Sequence, residues 1–195
     1  MNDLVLIRHV ETDLAGTFCG HSDPDLNAAG EQGLRALLEQ AAPLGIERIY
    51  SSDLRRASRT AMAIGNRIGT PVEFRSGLRE IHFGLWEGLR WEQIQQQYPH
   101  EAQLWVREFP MRRAPAGEEY RDFTARVDAE FRGVVGRRTG GAQAIVTHRG
   151  VMQYVLTRLC GFSEDDARKQ TENYGAIVIA SQSNLREIDC TGIGA

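Results

Sequence analysis

Histidines and arginines stand where buried strands should end. LVLIRHVET (residues 4–12) runs four apolar residues into Arg8 and His9. AIVTHRGVM (144–152) ends its apolar run at His148, followed by Arg149 and Gly150. IYSSDLRRASRTA (49–61) carries Ser51, Ser52 and Asp53, then Arg55, Arg56 and Arg59. A lone strand-end histidine is more often structural than reactive, and arginines in a helix's first turn normally face solvent. A cluster of unpaired cations beside a helix start, however, calls for an anion. The chemistry it supports is phosphoryl transfer. Planar guanidinium forks would hold a phosphate monoester, a neutral imidazole nitrogen would attack phosphorus, and a second, protonated histidine would donate to the equatorial oxygens. The leaving alkoxide needs a proton from a positioned acid. Glu11, Glu80, Glu87, Glu118 and Glu119 are the candidates, and spacing alone does not choose among them. Glu80 lies in LREIHFGLWEG, where Gly84 and Gly88 permit unusual backbone angles and Trp86 can form an apolar wall.

The elements that must position these groups alternate. Residues 3–7 read as a strand buried on both faces. Asn27 can cap a helix carrying Leu34, Leu37, Leu38 and Ala41 at helical spacing, ended by Pro43 and Gly45. The strand ERIY leads to Ser51, Ser52 and Asp53, all helix-capping types, and to a helix burying Ala57, Ala61, Ile64 and Ile68 before Gly69. Residues 72–75 read as a strand. An irregular, partly helical insertion over about 77–118 follows, with short helices in WEQIQQQY and EAQLWVREF. A helix is expected over 119–137, then a buried strand in AQAIVT, a helix in VMQYVLTRLC, and closing strands in GAIVIA and LREID. This alternation predicts an α/β/α sandwich with a mostly parallel sheet, forming one domain over 1–195. Such sheets bind ligands beyond the carboxyl ends of their strands, which is where the cations and histidines fall.

Composition narrows the partners. The 195 residues carry a net charge of −3, which argues against nucleic acid as a partner. Lys169 is the only lysine among 23 basic residues, the rest being arginine, the better residue for gripping phosphate. Cys19, Cys160 and Cys190 form neither a metal-ligand spacing nor an even disulfide set. With no membrane-spanning run or leader in view, a cytoplasmic protein is expected. A small-molecule phosphate ester is the expected partner, with no membrane; the oligomeric state, a homodimer included, stays open.

The motifs together resemble the histidine phosphatase superfamily, which contains the cofactor-dependent phosphoglycerate mutases. LIRHVET is similar to its Arg-His-Gly-Glu-[Ser/Thr] signature, and SDLRRASRTA to its Ser-x-Leu-x-Arg-Ala-x-x-Thr-Ala segment. LREIHFGLWEG resembles the block carrying the acid, and AIVTHRGVM the block carrying the second histidine. Within the superfamily, CGHSDPDLNAAG (19–30) and APAGEEYRDFTARV (114–127) resemble segments of the α-ribazole phosphatase type, which acts in cobalamin assembly. Ala15 stands where phosphoglycerate mutases usually carry asparagine.

This resemblance implies a phosphomonoesterase with a phosphohistidine intermediate and a phosphoglycerate mutase-like fold. His9 aligns with the nucleophile, Arg8, Arg56 and His148 with the phosphate pocket, and Glu80 with the proton donor. Thr12, Gly20 and His21 belong to a loop that would form a substrate wall. No metal or cofactor is implied. Arg55 and Arg59 do not align with the pocket, and His82 and His100 fall outside the motifs. Arg149 occupies the place where a related subgroup carries an acidic Asp, which favours Glu80. The substrate implied is α-ribazole 5′-phosphate. A phosphoglycerate mutase or a sugar-phosphate phosphatase is the nearest rival, and a silent phospho-ligand binder is a rival of another class. One departure matters: Val10 replaces the signature glycine. Valine is harmless at an ordinary φ with its side chain in the core, and harmful if the position needs a positive φ.

Overall fold

The computed structural model describes residues 3–135 and 140–181. Apolar runs with branched side chains form five strands: β1 (Asp3–Arg8), β2 (Ile46–Ser51), β3 (Val72–Phe74), β4 (Ala142–Thr147) and β5 (Ile177–Ser181). Their order across the sheet is β3-β2-β4-β1-β5. All neighbours are parallel except β5, which runs antiparallel to β1. The central strand β4 is buried at every position, as a strand covered on both faces must be. Helices α5 (Tyr120–Val135) and α6 (Arg149–Tyr154) cover one face, where Phe123, Val127, Phe131, Val151 and Met152 pack on Leu4, Leu6 and Ile145. Helices α1 (Ala28–Ala41) and α2 (Arg55–Ile68) cover the other, where Leu37, Ala57, Ala61 and Ile64 meet Val5, Ile7, Ala144 and Val146. The alternation of β1 side chains between two cores is the period-2 pattern of a strand, and it produces the expected α/β/α sandwich. Among the described residues no helix is long and apolar enough to cross a membrane.

Register aligns the strand ends. Arg8 pairs with Thr147, and Ser51 with Val146. The ladder then extends one residue further: His9 N–H donates to Thr147 O at 3.0 Å, and Ser52 N–H to Val146 O at 3.0 Å.

The helix starts partly differ from expectation. Asn27 caps α1 by accepting from Gly30 N–H at 2.7 Å. At α2 the capping position is Leu54, not Ser51, Ser52 or Asp53. Asp23, from the loop, accepts Arg55 N–H at 2.6 Å instead, and Asp53 turns aside to a bidentate pair with Arg79 at 2.6 and 2.7 Å. The helix after His148 is regular only to Tyr154, and Val155–Leu159 form a π turn. In the 77–118 insertion, α3 (Trp91–Gln97) and α4 (Pro99–Glu108) close over a small core of Trp86, Ile94, Ala102 and Ala114. The expected strand in LREID, the end of the 119–137 helix and Cys190 lie outside the described residues.

Candidate active site

His9, Ser52 and His148 emerge side by side at the carboxyl edge, 6%, 0% and 1% exposed. His9 Nδ1 lies 2.7 Å from Val10 O. A carbonyl only accepts, so Nδ1 carries the proton and Nε2 keeps its lone pair. Burial, then the positive charge of Arg56, holds the His9 imidazole well below its ordinary range; the bond to Val10 opposes this and Arg8 adds to it. The ring is therefore neutral at neutral pH. The His148 ring lies 5.1 Å from that of His9.

Ser52 fixes the second histidine. Its Oγ accepts Leu54 N–H at 3.3 Å and lies 2.9 Å from His148 Nε2. The hydroxyl proton is free to point at Nε2, and in that arrangement the His148 proton sits on Nδ1. Burial, Arg56 and His9 hold this imidazole well below its ordinary range. In the free site His148 is thus neutral, because a further buried cation beside Arg56 is unfavourable; the protonated form was expected with phosphate bound.

The two arginines are anchored by the backbone. Arg8 donates to the carbonyls of Thr171 and Glu172 and stacks 4.0 Å over the Tyr174 ring. Arg56, 1% exposed, donates to Ser22 O at 2.7 Å, Gly20 O at 2.6 Å and Cys19 O at 3.2 Å. Arg8 Nε, Arg56 Nε, His148 Nδ1 and Arg149 Nε are buried nitrogens that make no hydrogen bond. All are donors, and an unpaired buried donor costs about 1–3 kcal/mol. What satisfies such a set is an anion beside His9.

The candidate acids separate by their partners. Glu80 is 7% exposed; its Oε2 accepts Gly150 N–H at 2.9 Å and its Oε1 accepts Ile81 N–H at 3.0 Å. Burial nevertheless pushes its carboxyl up, against those two bonds and the charges of Arg56 and Arg8. Glu87 is opposed by burial too, yet it ends below the carboxylate range because it accepts the amides of Gly20, His21, Ser22 and Phe83 at 2.8–3.0 Å. Glu118 is forked by Arg126, Glu119 pairs with Arg113, and Glu11 accepts from Asn27 Nδ2. Only Glu80 combines burial, a raised pKa and a place beside the histidines; an alanine at Gly150 would put its Cβ 2.4 Å from Glu80 Oε1.

The proposed wall residues are placed differently. Thr12 is buried, its backbone bridged to Leu26. Gly20 is packed so closely that a Cβ would lie 2.2 Å from Ile81 O. Of the three, only His21 reaches the acid, its Nε2 lying 3.1 Å from Glu80 O. Arg55 and Arg59 bind Asp25, and Arg59 also Glu31, at the surface, while His82 packs edge-on to His21 at 4.9 Å and His100 is exposed. Val10 is 1% exposed in the core, and Ala116 is the only non-glycine among the described residues with positive φ. Valine is therefore conformationally harmless at this position.

Ser52, Tyr174 and Arg126 were not singled out as site residues by sequence. Ser52 had a signal, since it directly follows β2. Tyr174, whose ring lies 5.6 Å from that of His9, precedes β5. An antiparallel strand presents its amino end at the edge where its parallel neighbours present their carboxyl ends.

Comparison with known proteins agrees with this geometry. The family model for the histidine phosphatase superfamily (branch 1) matches residues 4–190. Phosphoserine phosphatase 1 of Hydrogenobacter thermophilus is 28% identical over 163 residues, 83% of this chain and 77% of its own. Mycobacterial glucosyl-3-phosphoglycerate phosphatase superposes with a TM-score of 0.81 at 28% identity, covering 95% of each chain. The α-ribazole phosphatase of Shigella flexneri superposes with a TM-score of 0.80 over 91% of this chain and 89% of that one; at 24% identity it bears on the fold alone. With two histidines, two arginines and a buried glutamate gathered at the sheet edge, the chain belongs to the histidine phosphatase superfamily.

Proposed function

We propose that the protein is a phosphomonoesterase acting through a phosphohistidine on His9. The observation that carries this reading is the set of unpaired buried donors on Arg8, Arg56 and His148 around a neutral imidazole whose Nε2 is free to attack. Nε2 attacks phosphorus as the ester P–O bond breaks, and Glu80 gives its proton to the leaving oxygen. Bound phosphate dianion raises the Glu80 pKa further, which keeps that proton available. In the second half a water attacks phosphorus and its proton passes to the Glu80 carboxylate. The P–N bond breaks, its electron pair returns to Nε2, and inorganic phosphate departs. Neutral His9 and protonated Glu80 are regenerated.

The substrate is read as a small-molecule monoester, with α-ribazole 5′-phosphate favoured by the 19–30 and 114–127 segments. Relatives named for phosphoserine and glucosyl-3-phosphoglycerate make those esters the natural competitors. The silent-binder reading rested on Val10, and the ordinary backbone at that residue removes its motive.

The test has two parts. Turnover should be fastest on α-ribazole 5′-phosphate in a panel with phosphoserine, glucosyl-3-phosphoglycerate and 3-phosphoglycerate; faster turnover of another ester contradicts the substrate choice. Glu80→Gln should slow an alkyl ester by about 10²-fold while sparing p-nitrophenyl phosphate, whose leaving group needs no proton. Equal loss on both would show that Glu80 is not the acid.

A further inference from the structure

Glu80 sits on a stretch with no ladder to hold it. Residues 79–83 lie between short 3₁₀ turns at Ser76–Leu78 and Gly84–Trp86, so their carbonyls need donors from elsewhere. One side chain supplies two of them and reaches one more carbonyl in the turn before. Arg126, on α5, donates through Nη1 to Gly77 O at 2.9 Å and Arg79 O at 2.6 Å, and through Nη2 to Glu80 O at 2.9 Å. Its charge is met by Glu118 in a fork, with Nε to Oε1 at 2.7 Å and Nη2 to Oε2 at 2.8 Å. Glu118 Oε2 also accepts His82 N–H at 3.2 Å. A single ion pair thus clasps the chain on both sides of Glu80, and the carboxyl is delivered forward onto Gly150 N–H.

We infer that Arg126 is a positioning residue for the proton donor: clamped by Glu118, it fixes the backbone of Glu80 so that the carboxyl faces the leaving oxygen. The inference rests on Glu80 being the acid, as proposed above. The geometry suits arginine and no other residue, because only a planar five-donor group can fork a carboxylate and reach three carbonyls at once. Arg126 is paired with Glu118 and acts on the position of the acid; the charges named on the Glu80 carboxyl are those of Arg56 and Arg8, while that of Arg126 reaches His148 and helps hold its imidazole down.

A merely structural clasp and a positioning clasp predict different kinetics. For Arg126→Met, kcat on an alkyl ester such as glycerol phosphate should fall by about tenfold or more, since misplacement by ~1 Å can cost about 10²-fold. KM should stay within about twofold, and p-nitrophenyl phosphate turnover within about threefold, because neither depends on the acid. In a Glu80→Gln background the same substitution should add less than about twofold on the alkyl ester, as expected for residues acting through one group. Arg126→Lys, which keeps the charge and loses the fork, should fall between wild type and Arg126→Met; it carries the same readouts if the methionine variant does not fold. Equal loss on both esters, or a full additional loss in the Glu80→Gln background, overturns the inference while leaving Glu80 as the acid. If Glu80→Gln is itself unselective between the esters, the assignment of the acid fails, and this inference with it.

Discussion

The carboxyl edge of the sheet and the 77–118 insertion both deliver groups to the site, but by different means. At the edge, His9 and Ser52 are held by main-chain ladder bonds to Thr147 and Val146, which do not depend on the side chains presented. In the insertion the backbone is held by side chains: Arg126 clasps residues 77–80, and the Glu87 carboxylate gathers the amides of residues 20–22 and 83. Glu80 and Glu87 make the contrast sharp. Both lose water, yet one carboxyl is pushed up and the other ends below its ordinary range, because Glu80 is the more deeply buried and accepts two amides, whereas half-buried Glu87 accepts four. The first is suited to give a proton and the second to organise a loop. Groups that the sheet edge presents to the site should thus be replaceable at the expense of chemistry alone, whereas loss of a bridging side chain such as Glu87 should disturb structure first.

The largest expected effect lies at the edge. His9→Ala should lower p-nitrophenyl phosphate hydrolysis by roughly 10⁴-fold or more, with an unchanged circular dichroism spectrum. A residual rate within tenfold of wild type would break the comparison on its catalytic side. Next comes Glu87→Ala, which leaves several amides without an acceptor and should cost about 3 kcal/mol of unfolding free energy in urea. Glu80→Gln, by contrast, should change stability by less than about 1 kcal/mol, since it is nearly isosteric and keeps an oxygen for one of the two amides that the carboxyl accepts. If the two variants unfolded alike, the division of labour drawn here would be wrong.

Val10→Ala should cost about 2 kcal/mol through the cavity it leaves while sparing turnover. A loss of turnover without loss of stability would mean that the valine shapes the phosphate site after all.

The smallest effect is on pH. Burial holds His9 and His148 below an ordinary value of about 6.5, so the unfolded chain binds more protons as the pH drops through it. Their stabilisation is complete above that pH and is lost below it. Glu80 has the opposite sign: its carboxyl favours the native state below its ordinary value and loses that contribution as the pH rises through the raised one. Tm should fall between pH 7.5 and 5.5, and fall less in His148→Asn. An identical fall in both proteins would argue that the imidazole is not held neutral.

This division also explains what could be read from the chain before its structure. Arg8, His9 and His148 were legible because strand ends are visible as apolar runs that stop, and parallel strands stop at one edge; Arg56 was separated from Arg55 and Arg59 only by the family resemblance. The sandwich was legible from the same alternation. The clasp was not: nothing in EEYRDFTARV marks Arg126 as the partner of carbonyls 46–49 residues earlier, because side-chain bridging of irregular backbone has no period. Asp23 capping α2 from a loop was hidden for the same reason. The charge of His148 in the free site was not legible because sequence reveals a histidine's neighbours in the chain, and that charge is decided by burial and by Arg56 across the fold.

The central claim is that His9 takes the phosphoryl group. Rapid quenching during turnover of p-nitrophenyl phosphate, followed by peptide mass spectrometry at alkaline pH, tests it directly. The account predicts an acid-labile, base-stable phosphate on the peptide carrying His9, formed and discharged at the rate of turnover and absent from His9→Ala. Steady hydrolysis by wild type with no phosphate on His9, or with phosphate on another residue, would contradict it.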